Sequence, residues 1–142
     1  MSDKLTAADV ERLVKDPSVE ARAETAEKLA VQFESGKLTG DEVKLASEIF
    51  RVMVQDAEVR VRTALSRHLS ETDALPHDVA LSLAKDVDEV SLPMLEFSEV
   101  LSDDDLIEIV HTQGEAKQVA IASRSQVSEQ VSGALVKTDS EK

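Results

Sequence analysis

The residues whose types and spacing could do chemistry gather late in the chain, at Asp103, Asp104, Asp105, Glu108 and His111. Residues three and four apart share one side of a helix, so 104 with 108, and 105 with 108 and 111, would present carboxylates and an imidazole together. Glu108 and His111 form a Glu-x-x-His element, which carboxylate-bridged di-iron bundles use twice alongside two further glutamates. One copy leaves no metal set, and the acids read better as a first turn favoured by the helix dipole. Asp86-Val-Asp88 starts like a calcium loop but lacks its glycine and has Phe97 in place of the closing glutamate. No metal ligand is assigned.

Other chemistry is equally thin. The chain has no cysteine, which removes sulfur nucleophiles, thiolate zinc sites and disulfides. It has no Gly-rich phosphate loop, no nucleophile elbow and no His-Glu-x-x-His stretch. No catalytic residue and no cofactor is expected; an enzyme would need a site assembled by folding from distant residues.

The acids belong to a regional imbalance. The 142 residues carry a formal charge of -13, and residues 68–116 hold 13 Asp and Glu against the single base Lys85, together with all three histidines. Such a surface repels phosphate backbones and anionic membranes, so neither nucleic acid nor membrane is an expected partner. It would attract a basic protein with fast, salt-sensitive association, although an acidic face also serves solubility alone. Asp103, Asp104, Asp105 and Glu108 are the residues expected to meet such a partner. Arg51, Arg60, Arg62 and Arg67 form the one basic cluster; it reads as structural before it reads as an anion site, with Arg60 expected to pair with Asp56 at the four-residue helical step.

The elements that must position these residues are helices throughout. Apolar content rests on Ala, Val and Leu, aromatics are limited to Phe33, Phe50 and Phe97, and no segment alternates cleanly as a strand. Thr6 to Asp9 resembles a capping box for a short first helix, and Asp16-Pro17 then predicts a helix over 17–34 that stops at Gly36. Thr39 to Glu42 is a fuller capping box. The helix to Met53 carries two apolar stripes, Ala46, Phe50 and Met53 beside Leu45, Ile49 and Val52, which predicts packing on more than one side. Asp56 is expected to cap the next helix, Pro76 to open one running to Lys85, and Asp88 or Ser91 to precede one in which Pro93 sits in the first turn. Ser102 with Asp105 opens 103–112, residues 115–124 follow, and Ser128 caps a last helix through Val136.

Asp16-Pro-Ser-Val-Glu-Ala-Arg22 and Asp56-Ala-Glu-Val-Arg-Val-Arg62 share one pattern forty residues apart. It resembles the HEAT repeat, which implies stacked helix pairs with Asp16, Arg22, Asp56 and Arg62 in an internal Asp/Arg ladder. The ladder is expected to be incomplete further on, where Leu92-Pro93 takes the place of the arginine and Gln113-Gly114 that of the aspartate.

The segments SEVLSDDDLIEIV at 98–110 and VSEQVSGALV at 127–136 resemble a bacterial family known as domain of unknown function 2336. The resemblance is expected to cover most of the chain; it implies helical repeats, no established activity, and a chain corresponding to the N-terminal part of longer members. The whole is therefore read as all-α, a short α-α solenoid of HEAT-like antiparallel helix pairs over 1–137, with a polar tail at 138–142. Its expected role is a non-catalytic cytoplasmic protein–protein interaction or scaffold module, binding an unknown protein, with a basic one as the candidate, or, through its last helix, a second copy. The alternatives are a nucleic-acid-handling HEAT module and an enzyme.

Overall fold

The computed structural model describes residues 18–140, with side chains from 18 to 138. Among the described residues there are eight helices and no strand: α1 (Val19–Glu34), α2 (Gly40–Met53), α3 (Val59–Leu69), α4 (His77–Ala84), α5 (Asp88–Phe97), α6 (Asp103–Thr112), α7 (Glu115–Ala122) and α8 (Glu129–Ser140). Asp16, Pro17 and the capping box at Thr6 lie outside the described residues.

Local chemistry accounts for most of the boundaries. At α1 the cap is Ser18, whose hydroxyl accepts from the Ala21 amide at 3.2 Å, so the helix starts two residues later than Pro17 suggested. It ends at Gly36, whose φ of 74° is a conformation that a Cβ disfavours. Reciprocal capping boxes open α2 and α6: Thr39 and Glu42 exchange bonds of 3.2 and 2.9 Å, and Ser102 and Asp105 bonds of 3.1 and 2.8 Å.

Three local expectations are corrected. Asp56 does not cap α3; the cap position is Glu58, and Asp56 stands two residues earlier with its Oδ1 accepting from the Glu58 amide at 3.0 Å. A cross-unit guanidinium holds the carboxylate there. Pro93 is the sixth residue of α5, not a first-turn residue. Its ring nitrogen cannot donate to the Glu89 carbonyl, a loss made tolerable because Glu89 is exposed and water can serve that oxygen. Finally, α2 is packed on one side: Ala46, Ser47, Phe50 and Met53 are buried, whereas Leu45 and Val52 are 64% and 73% exposed.

The packing follows alternate helices. α1 lies against α3, α3 against α5, α5 against α7 and α6 against α8; α4 packs on its neighbour α5 and α6 on α7, and a slighter contact joins α2 to α4. Between these sets runs one core from Ala23 to Ala134, built of Leu65, Leu69, Leu83, Met94, Leu95, Ile109 and Ile121 and smaller residues. Phe33 and Phe50 meet edge to face at 5.2 Å, joining α1 to α2. Removing these side chains from water drives the association, at about 25 cal/mol per Å² of apolar surface.

Candidate binding surface

The basic side chains come first, because their placement decides which acids remain available. Arg22 on α1 donates from Nε and Nη2 to the two carboxylate oxygens of Asp56 at 2.8 and 3.2 Å. Arg62 on α3 repeats the arrangement one unit further on, reaching Asp86 at 2.6 and 3.0 Å, and its Nη1 donates back to the Asp56 carbonyl at 2.6 Å. Lys117 of α7 is buried, and its Nζ donates to the Asp86 carbonyl. Arg124, just past α7, donates to the Leu95 and Ser98 carbonyls at 2.6 and 2.5 Å and so closes the C-terminal end of α5. Each base ties one helix to a turn or helix end of a neighbouring unit.

The ionisation balance follows from that geometry. Burial alone would raise the Asp56 carboxyl, but the Arg22 guanidinium and the Glu58 amide bring it below its ordinary value. Hydrogen bonding to Asp56 and Asp86 raises Arg22 and Arg62 respectively. Burial pushes Lys117 down against the pull of Asp88 and Asp86, and pushes Arg124 down against Glu99 and Asp103.

The four acids proposed as partner contacts separate. Asp103 and Asp104 are exposed on the first turn of α6. Asp105 is buried, and its Oδ2 accepts from the Ser102 amide and lies 2.6 Å from His77 Nε2. Burial would raise its carboxyl, yet the Ser102 amide and His77 hold it below its ordinary value. Glu108 is exposed and meets Lys85 at 3.1 Å. His111 stands apart on the exposed side, and among the described residues no three His, Asp or Glu come close enough to hold a metal.

Of the basic cluster, Arg51 pairs with Asp78 at 2.8 Å and Glu48 at 2.6 Å. Arg60 lies 3.7 Å from Glu20, not against Asp56, because Arg22 and the Glu58 amide already occupy the Asp56 oxygens. Arg67 shares an open groove of about 700 Å³ over α1, α3 and α5 with Arg60, Glu20, Glu24, Glu27 and Glu89. Four carboxylates around two guanidiniums give that groove no basic potential.

Sequence reasoning missed Asp86, Lys117 and Arg124. Asp86 holds the aspartate place of the unit in which Leu92 replaces the arginine, and what the pattern did not show is that it receives Arg62 from the unit before. Lys117 and Arg124 fit no spacing at all, since each reaches backbone carbonyls whose position only the packed helices define.

Around Arg124 the surface becomes acidic. On one side of its guanidinium a cleft of about 520 Å³ is lined by Glu99, Asp103, Leu106 and Val131, and on the other a cleft of about 240 Å³ by Glu71, Glu96, Phe97 and Glu99. No ion pair among the described residues uses Glu71, Glu99, Asp103 or Asp104. No helix among the described residues is long and apolar enough to cross a membrane.

Comparison with known proteins adds one finding. Residues 90–142 match the model of a family described as an uncharacterised protein conserved in bacteria, domain of unknown function 2336. Both segments that carried the resemblance fall inside this stretch, as do Glu99, Asp103 and Arg124. The match covers less than half of the chain, a narrower span than the resemblance implied. No curated protein and no solved structure matches the chain.

Proposed function

We propose that this chain is a non-catalytic protein-interaction module, a short α-α solenoid of HEAT-like helix pairs whose acidic face takes a basic protein partner. Support for the architecture comes from the packing of alternate helices and from the Arg22–Asp56 and Arg62–Asp86 pairs, which recur from unit to unit. One observation carries the binding role. Arg22, Arg62, Lys117 and Arg124 are turned into the stack and Arg51, Arg60 and Lys85 meet acids at the surface, while Glu71, Glu99, Asp103 and Asp104 remain exposed and outside every ion pair among the described residues. Unpaired surface carboxylates steer a cationic partner and are desolvated at little cost when the partner supplies the counter-charge.

The test is capture from a bacterial lysate by the wild type and by a variant carrying Glu99→Gln, Asp103→Asn and Asp104→Asn, at low and moderate salt. Asp105 is left untouched because its carboxylate caps α6, so changing it would mix folding with binding. The reading expects a basic protein retained by the wild type and lost both by the variant and in salt. Equal retention by the two proteins would remove the face from consideration.

A further inference from the structure

The cleft of about 240 Å³ beside Arg124 differs from the rest of the acidic surface in having an aromatic wall. Phe33 and Phe50 spend their rings on each other in the core, whereas Phe97 closes α5 with 46% of its surface exposed. Glu71, Glu96 and Glu99 surround it, contributed by the turn after α3, the last turn of α5 and the loop beyond. The C-terminus of α7, with Ser123 as its C-cap, also lies here, and a helix C-terminus carries partial negative charge. Arg124 is the counter-charge on the wall, but two of its donors are already given to the Leu95 and Ser98 carbonyls.

We propose that this cleft receives a single arginine side chain of the partner, its guanidinium lying on the Phe97 ring and bonded to the Glu99 and Glu71 carboxylates. The proposal rests on the acidic-face reading and narrows it to one pocket and one residue type. Three features favour arginine over lysine. A planar guanidinium stacks on an aromatic face, offers a fork of donors to carboxylates on two sides, and is more weakly hydrated than an ammonium when it leaves water. The volume suits one long side chain, and the exposed ring gains the cover that the fold withholds.

The probes are acetylated, amidated pentapeptides Gly-Gly-X-Gly-Gly with X as arginine, lysine or citrulline, titrated into the isotopically labelled full chain and followed by NMR. The arginine peptide should shift the Phe97 ring signals and the amides of Glu71, Glu99 and residues 123–126, with lysine weaker and citrulline silent. Phe97→Ala should weaken its Kd about fivefold, and Glu99→Gln by a similar factor. Glu99 makes no ion pair, so that variant keeps the test valid if Phe97→Ala loses helicity in circular dichroism. Shifts spread evenly over the acidic surface, an unchanged Kd in Glu99→Gln, or no arginine binding would overturn the proposal. A deca-lysine peptide separates the two readings: if it still associates with the acidic face, only the arginine pocket falls, and if it does not, both fall.

Discussion

Arg62 serves two partners with one guanidinium, the Asp86 carboxylate ahead and the Asp56 carbonyl behind, and both it and Asp86 are largely shielded from water. Removing one member of such a pair leaves the other desolvated without a counter-charge. Arg62→Ala should therefore cost about 3 kcal/mol in urea unfolding, whereas replacing Arg62 and Asp86 together by Met and Leu should recover most of that loss. Asp105 makes the same argument through pH. Its folded carboxyl lies below the ordinary value of 3.8, as do those of Asp56 and Asp78, so these groups stabilise fully above that value and lose their contribution as the pH falls through it. Asp105→Asn keeps an acceptor for the Ser102 amide but removes the charge at the helix N-terminus and beside His77, so it should lower stability at neutral pH by about 1 kcal/mol and flatten the acid limb of a stability–pH curve. At this scale the capping boxes were legible in the sequence, because a cap is a contact between residues three apart. Asp105's contact with His77 was not, because it joins helices twenty-eight residues apart.

Helices are read from sequence to the extent that their ends are chemical. α4, opened at Pro76 and closed at Lys85, and α6, opened by Ser102, fall where their capping residues place them. α5 and α2 depart for tertiary reasons: packing of α5 against α3, α4 and α7 carries the helix through Pro93, and α2 leaves Leu45 and Val52 in water. Pro93→Ala restores a donor to the Glu89 carbonyl and should raise stability by about 1 kcal/mol or more, read as a higher Tm. Gly36→Ala should lower it by about 1 kcal/mol, since nothing crowds the site and the cost is the positive φ alone. Opposite signs from two replacements by the same residue would show that backbone conformation, not packing, decides both, one inside a helix and one just past a helix end.

Across the whole molecule, charge is divided by role. Arg22, Arg62, Lys117 and Arg124 hold consecutive units together, and Glu71, Glu99, Asp103 and Asp104 are left exposed and outside every ion pair among the described residues. The regional imbalance was legible from counting residues, but its division was not, because which acids are already spent depends on which helices touch. Asp105 and Glu108 are occupied, while Glu71 and Glu99, unremarkable in sequence, stand beside Asp103 and Asp104 as exposed acids. The most direct test of the binding account is the association of fluorescent deca-lysine followed by anisotropy, at about 30 mM and about 300 mM salt, for the wild type and the Glu99→Gln, Asp103→Asn, Asp104→Asn variant. The account predicts tight, salt-sensitive binding to the wild type and at least about tenfold weaker binding to the variant, with helicity unchanged. Equal affinity of both proteins for the peptide would show that the acidic face attracts by net charge alone and would contradict the account.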